Sequence, residues 1–182
     1  MNEKNTTITE ITTLLSEHGL EEIQVSAKTI LLKEGEKATK VYIVKSGCLR
    51  MWLNHNGNDI TSQFFFEDTI VASMESLLTN QPSNFNLETI EDCTLYVIGR
   101  ESFVPLLKEN TFVKEWFNAM ILDRFYYYSK HILTYLKDKP QDRYIELLKK
   151  NPHIFQRVPQ HYIASYLGIT SVSLSRIRNR KV

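Results

Sequence analysis

Residues 158–182 read VPQHYIASYLGITSVSLSRIRNRKV, and this stretch has the spacing of a helix-turn-helix. The apolar face of the predicted first helix consists of Ile163, Ala164 and Leu167. Gly168 follows at the point where a helix commonly ends in a residue with a positive φ. Thr170 can then cap a second helix through its hydroxyl oxygen. The sequence therefore predicts two short helices joined by a tight turn.

The predicted second helix separates its side chains into two faces. Leu174 and Ile177 lie three residues apart and are expected to face the first helix. The opposite face carries small, hydroxylated and cationic side chains, namely Ser171, Val172, Ser173, Ser175, Arg176 and Arg178. Such a face suits the major groove of DNA. The alternative is a solvated basic helix at the end of the chain.

Charge is distributed unevenly along the chain. Residues 138–182 carry nine Lys and Arg against three Asp and Glu, a net charge of +6, whereas residues 1–137 carry 13 and 18, a net charge of −5. A basic C-terminal region beside an acidic larger one concentrates attraction for nucleic acid phosphates at the helix-turn-helix. The charge pattern therefore agrees with the motif.

Composition restricts the remaining possibilities. A chain of 182 residues can form one substantial domain and one small one. No apolar run approaches the roughly 18 residues of a membrane span, and no secretory signal pattern follows Met1. Two cysteines, Cys48 and Cys93, cannot form a four-thiolate metal centre and are expected to be buried and reduced. We expect a cytoplasmic protein that has no membrane-spanning segment and binds no metal or other cofactor.

The first two-thirds of the chain predict a small helix followed by a β-structure. Ile8 to Leu15 has helical spacing, and alternating apolar residues then recur in short segments between turns. The predicted strands are 29–33, 41–45, 49–53 and 60–66, with two more between 86 and 98. Asn56-Gly57 is a strong hairpin signal between the third and fourth of these strands. Many short strands at regular spacing indicate a barrel or jelly roll.

From Thr111 to Lys137 the apolar period becomes helical. The stripe consists of Val113, Phe117, Ile121, Phe125, Tyr128, Ile132 and Leu136. At 1.5 Å per residue this helix is about 40 Å long, which is more than a small barrel can cover. We therefore expect a two-fold homodimer whose interface includes Phe117, Ile121, Phe125, Tyr128 and Ile132. The alternative is an ordinary core helix. Pro140 ends the predicted helix.

The predicted fold class is α+β, with three segments. Residues 1–110 form a double-stranded β-helix, a jelly-roll or cupin-like β-roll, and residues 111–137 form the long dimerisation helix. Residues 138–182 form a small all-α helix-turn-helix domain.

This combination resembles the Crp/Fnr family of bacterial transcription regulators across nearly the whole chain. The best-matching segments are 33–36 (KEGE), 42–47 (YIVKSG), 90–98 (IEDCTLYVI), 163–170 (IASYLGIT) and 175–178 (SRIR). The resemblance implies a cytoplasmic homodimer that binds a palindromic operator in double-stranded DNA and responds to a signal in the β-roll. It also implies RNA polymerase as a partner.

One departure from the family concerns the cyclic-nucleotide cassette. Members that bind cyclic nucleotides carry Gly-Glu and, about ten residues later, Arg followed by Ser or Thr. Here these pairs align with Ala72-Ser73 and Ser83-Asn84, and no Arg or Lys occurs between Arg50 and Arg100. A cyclic phosphate would lack its bidentate cationic partner. We predict no cAMP or cGMP binding of the usual kind. The equivalent site (Ser73, Glu75, Ser83, Asn84) would then take an unidentified effector or be vestigial.

The second departure lies at the recognition helix. We expect no β-hairpin wing of the kind that many members carry, and Ser171-Val172 replaces the usual Arg-Glu pair. Arg176 is the expected base contact, to guanine, while Ser171 and Val172 would read bases by hydroxyl and methyl contact. Gln160, His161 and Ser173 are expected phosphate contacts. Arg178, Arg180 and Lys181 would contact the DNA backbone or be solvated.

Other function classes fit less well. A metal-dependent cupin enzyme needs several His and a carboxylate inside the roll, but the roll contains only His55, beside the hairpin turn. We therefore expect no enzyme activity and no catalytic residues. Residues 126–128, three consecutive tyrosines, could stack on a ligand or base, but are more typical of an interface. A third possibility is a stand-alone ligand-binding or interaction module that has lost DNA binding.

Overall fold

A computed structural model describes residues 3–179, with side chains described from Ile8 onward. The chain divides into two compact units. The roll unit comprises the residues up to Leu53 together with Gln63–Phe117. The HTH unit comprises Asn54–Ser62 and the residues from Asn118 onward. Among the described residues, no helix is both long enough and apolar enough to cross a membrane.

Helices and strands follow one another in the order that the sequence patterns indicate, with several additions. The strands are β1 Glu21–Val25, β2 Ile30–Leu32, β3 Lys40–Ser46, β4 Leu49–His55, β5 Asn58–Phe65, β6 Ile70–Val71, β7 Asn86–Thr89 and β8 Cys93–Gly99. The helices are α1 Glu3–Ser16, α2 Met74–Thr79, α3 Arg100–Glu109, α4 Thr111–Lys137, α5 Pro140–Lys150, α6 Ile154–Arg157, α7 Gln160–Tyr166 and α8 Ser171–Asn179.

Two four-stranded sheets form the β-roll, with strand orders β1-β8-β3-β6 and β2-β7-β4-β5. Strand β3 pairs antiparallel with β8 and β6, and β7 pairs antiparallel with β4 and β2. The interior is apolar and includes Val41, Ile43 and Leu95, all essentially inaccessible. Burial of this apolar area is the main stabilising contribution to the unit. The predicted α+β class and β-roll are confirmed.

The first turns of α4 belong to the roll unit. Val113 and Phe117 are buried, and the Phe117 ring meets the Phe103 ring edge to face at a centroid distance of 6.1 Å. Phe117, a predicted dimer-interface residue, is therefore already buried within its own chain. Phe103 comes from α3, a helix that the apolar periodicity did not indicate.

The HTH unit contains the rest of α4, helices α5 to α8 and the tip of the β4–β5 hairpin. Its buried side chains include Tyr144, Ile154, Ile163, Leu174 and Ile177.

Cys48 and Cys93, in the roll unit, are both buried and form no disulfide bond.

Candidate nucleic-acid interface

The turn between α7 and α8 has the geometry that the sequence predicts. Gly168 adopts a φ of +66°, and its amide donates to the Ser165 carbonyl at 3.0 Å. The next amide, of Ile169, donates to the Ala164 carbonyl at 3.0 Å. Thr170 Oγ1 accepts from the Ser173 amide at 3.1 Å, which caps α8. The turn is therefore fixed by backbone hydrogen bonds and one side-chain cap.

Helix α8 has a buried face and an exposed face. Leu174 and Ile177 are buried, as are Ile163 and Ala164 of α7. The exposed side chains are Ser171, Val172, Ser175, Arg176 and Arg178. Two guanidinium groups, two hydroxyl groups and the branched side chain of Val172 are thus exposed to solvent together. Side chains of these types contact base edges and phosphates in many protein–DNA complexes.

Three predicted phosphate contacts have different surroundings. Gln160 and His161 are exposed in the first turn of α7. Ser173 is half-buried, and its hydroxyl accepts from Thr170 Oγ1 at 3.0 Å while its amide is the capped donor. Ser173 is therefore occupied in the helix cap. Arg180 and Lys181 lie outside the described residues.

An aromatic cluster lies between α4 and α7. Tyr166 is its centre: its hydroxyl oxygen lies 2.5 Å from that of Tyr127, and its ring stacks on His131 at a centroid distance of 4.7 Å. Tyr135 donates its hydroxyl hydrogen to the Tyr166 carbonyl. Burial raises the pKa of Tyr166, and the neighbouring Tyr127 hydroxyl raises it further. Burial, with the nearby charge of Arg143, lowers the pKa of His131.

Arg143 joins the end of α4 to the end of α7. Its two terminal nitrogens donate to the carbonyls of Asp138 and Leu167, each at 2.8 Å. Its guanidinium lies over the Tyr135 ring, 4.6 Å from the centroid. Together with the Tyr166 cluster, this contact fixes the helix-turn-helix to α4. The sequence analysis did not identify this arrangement, although Tyr127, His131 and Tyr135 recur at a spacing of four residues.

The tip of the β4–β5 hairpin also contacts α7. Ser165 Oγ donates to the Asp59 carbonyl at 2.6 Å and accepts from the Thr61 amide at 2.9 Å. The predicted Asn56-Gly57 turn forms this tip, with positive φ at both residues. The first helix of the motif is thus held by α4 and by the hairpin.

The predicted ligand-pocket residues of the roll do not all line one cavity. Ser73 lines a cavity of about 160 Å³ beside Lys40 and Tyr42, but Glu75, Ser83 and Asn84 do not. Asn84 Nδ2 donates to Glu75 Oε2 at 3.2 Å at the surface, and the buried Ser83 hydroxyl donates to the Phe85 carbonyl at 2.8 Å. Glu75, Ser83 and Asn84 therefore make local contacts away from that cavity, and a ligand site at these residues stays a prediction.

Two arginines precede and follow this part of the sequence, and each already binds a protein group. Arg50 is buried and forms an ion pair with Glu88, with Nη2 and Oε2 2.7 Å apart. Arg100 Nε donates to the Leu77 carbonyl at 2.7 Å. Among the described residues, no group of three or more His, Cys, Asp or Glu is suited to holding a metal ion.

The second half of α4 carries an exposed apolar surface, which we call the α4 seam. It consists of Leu122, Phe125, Tyr126, Ile132, Leu133 and Leu136. These residues recur every three or four positions, with Ser129 at the intervening step, as in a coiled-coil contact. Of the predicted interface residues, Phe125 and Ile132 belong to the seam, while Ile121 and Tyr128 are half-buried.

Comparisons with known proteins agree with this architecture. Residues 22–110 match the cyclic nucleotide-binding domain family. The structure is similar to FixK2 from Bradyrhizobium japonicum, with 19% identity, a TM-score of 0.76 and coverage of 89% of this chain and 84% of that one. It is also similar to a protein from Eubacterium rectale assigned to the Crp/Fnr family of transcriptional regulators, with 21% identity, a TM-score of 0.73 and coverage of 97% and 82%.

A third similar structure is a CooA mutant from Carboxydothermus hydrogenoformans, with 20% identity, a TM-score of 0.70 and coverage of 92% and 77%. No curated protein matches the chain in sequence.

Proposed function

Because this chain contains a cyclic nucleotide-binding domain and has the fold of the Crp/Fnr regulators, we propose that it is a sequence-specific DNA-binding transcription regulator of that type. The observation that carries the proposal is the exposed face of α8, where Arg176 and Arg178 stand beside Ser171 and Val172. The basic net charge of residues 138–182 supports it. The proposed role is regulatory and not enzymatic.

The proposed regulator acts as a homodimer on a palindromic operator. The α4 seam is the surface that supports dimerisation, because isolated apolar rows of this length are rarely left in water. A two-fold dimer presents two α8 helices, which must lie about 34 Å apart to enter successive major grooves. RNA polymerase is the proposed partner at the promoter.

The principal test is Arg176→Ala in the full chain. An operator is first selected from random duplex DNA with the wild-type protein. The variant should bind that operator roughly 5- to 150-fold more weakly, because a bidentate contact to guanine contributes roughly 1–3 kcal/mol of discrimination. Electrophoretic mobility shift or fluorescence anisotropy at fixed salt measures the change, with the oligomeric state measured in parallel.

Two further variants make this test specific. Arg178→Ala, at a proposed backbone contact, should weaken binding to all sequences about equally and reduce the salt dependence. Lys114→Ala removes an exposed charge in the first turn of α4 and should leave DNA binding unchanged. If the wild-type dimer selects no sequence and binds no DNA, the result would favour the alternative function. That alternative is a ligand-binding or interaction module that has lost DNA binding.

The proposed effector is not cAMP. The roll cavity of about 160 Å³ is smaller than the roughly 300–1,000 Å³ typical of small-molecule sites. The aligned positions Ser83-Asn84 supply no guanidinium for a cyclic phosphate. Isothermal titration with millimolar cAMP should therefore show no saturable binding. Saturable binding of cAMP would overturn this proposal.

A further inference from the structure

The HTH unit contains a cavity of about 360 Å³ that none of the proposed DNA contacts uses. It lies among the second half of α4, helix α5 and the end of α7. Its walls include Tyr127, Lys130, His131, Arg143, Lys150 and Tyr166. The volume falls within the range of ordinary small-molecule sites. The cavity is therefore large enough to hold a small molecule.

Aromatic rings form one wall of the cavity. Tyr127 stacks on His131 with an interplanar angle of 9°, and His131 stacks in turn on Tyr166. Tyr127 and Tyr135 still expose 38% and 37% of their surface. Exposed ring surfaces beside an existing stack can accept a further planar group. This wall therefore favours a ligand with an aromatic ring.

Positive charge dominates the other walls. Lys130, Arg143 and Lys150 line the cavity with a single carboxylate, Glu146. The hydrogen bond from Lys150, together with the charges of Lys150 and Lys130, lowers the pKa of Glu146, so this carboxylate is ionised. The Arg143 donors described above bind carbonyl oxygens, which do not cancel its charge. With His131 neutral, the lining has a net charge of +2 at pH 7.

We propose that this cavity binds a small planar aromatic molecule that carries an anionic group, a carboxylate or a phosphate. The ring lies against Tyr127 and Tyr135, and the anion pairs with Lys130 and Lys150. Such a ligand would touch α4, α5 and Tyr166 of α7 together. It would thereby stabilise one position of the helix-turn-helix on α4. This consequence for DNA affinity rests on the proposed function, whereas the binding itself does not.

The test uses two anionic probes, adenosine 5′-monophosphate for phosphate and salicylate for carboxylate. Their uncharged counterparts are adenosine and salicylamide. Isothermal titration with the full-length protein should show saturable binding of at least one anionic probe. Its uncharged counterpart should bind at least roughly tenfold more weakly, because a charge-assisted hydrogen bond is worth that much or more. The probe that binds identifies the anion preferred.

Three variants assign the binding to this cavity. Lys130→Ala and Lys150→Ala should each weaken the anionic probe by roughly tenfold, and both lysines are exposed, so the fold is retained. Lys40→Ala, at the separate roll cavity, should not change the affinity. The proposal is overturned if neither probe binds, if the two HTH-unit variants bind as well as wild type, or if Lys40→Ala abolishes binding.

Ligand binding is measured without DNA, so its failure is distinguishable from failure of the proposed regulator. Operator affinity is then compared with and without the bound probe. A change in affinity that Lys130→Ala abolishes would establish the cavity as regulatory. An unchanged affinity would remove the regulatory consequence and leave the ligand site.

Discussion

Replacing Ile132 with glutamate should convert the proposed dimer into a monomer. Ile132 lies in the α4 seam and exposes 59% of its surface within one chain. In a two-fold dimer each substitution occurs twice, so two carboxylates would be brought into an apolar contact. Burying an unpaired charge costs several kcal/mol for each group. Sedimentation equilibrium over a range of protein concentrations measures the change in dimer dissociation constant.

Loss of the dimer should also remove tight operator binding. A dimer binds its second half-site at a high effective concentration, which raises the overall affinity by roughly 10²–10⁴. The Ile132→Glu monomer should lose that factor while its unfolding temperature changes little, because the substituted side chain is exposed in the single chain. The same operator fragment, titrated at the same salt concentration, gives the comparison.

Leu78→Glu is the matched control. Leu78 exposes 45% of its surface in α2 and lies outside the α4 seam. The substitution introduces the same charge at a comparably exposed apolar residue, so dimerisation and DNA binding should both persist. Were Ile132→Glu to remain dimeric at micromolar concentration, the seam would not be the subunit interface.

Much of the fold follows from local patterns in the sequence. The helical period from Thr111 to Lys137 gives the bounds of α4 as the structure has them. The helix-turn-helix could be predicted because its turn requires a positive φ at Gly168 and a capping oxygen at Thr170. Glycine is the residue type preferred at a positive φ, and threonine is among those preferred at a helix N-cap. Local chemistry therefore sufficed for these elements.

The elements that the sequence analysis did not predict lack such local signals. Strand β1 is largely exposed and β6 has only two residues, so neither produces a clear alternation. Helix α3 contains Pro105, a residue that normally argues against a helix interior. These elements form through contacts distant in sequence: β1 pairs with β8, β6 pairs with β3, and α3 buries Phe103 and Leu106. A single-sequence pattern does not express such contacts.

The sequence pattern also could not predict that the two halves of α4 lie in different environments. One apolar stripe runs along the helix, but Phe117 is covered within the roll unit while Ile132 remains exposed. Periodicity identifies an apolar face without specifying what covers each turn. The cluster of Tyr166, His131 and Arg143 likewise depends on contacts between helices far apart in sequence.

Gly168→Ala should destabilise the HTH unit by about 2–5 kcal/mol. An alanine at φ +66° is strained by roughly 1–2 kcal/mol. Its Cβ would also lie 2.7 Å from Tyr135 Cε1, closer than side-chain carbons approach in folded proteins. Overpacking of this kind typically costs 1–3 kcal/mol. Urea unfolding followed by circular dichroism measures the loss, and operator binding should fall with it.

Gly57→Ala separates the two causes. Gly57 has a φ of +82° in the same HTH unit, and a Cβ there would have no heavy atom within 4 Å. This control should lose only the conformational part, roughly 1–2 kcal/mol. The difference between the two variants estimates the contact with Tyr135.

Combining Gly168→Ala with Tyr135→Ala completes a double-mutant cycle. Tyr135→Ala alone removes the hydrogen bond to the Tyr166 carbonyl and the ring beneath Arg143, so it is destabilising by itself. In the double variant the alanine Cβ meets no ring, so the total loss should be smaller than the sum of the two single losses. A coupling of about 1–3 kcal/mol is expected for residues in direct contact. Strictly additive losses would mean that the Tyr135 ring does not lie against the turn, and the attachment of the helix-turn-helix to α4 would need another explanation.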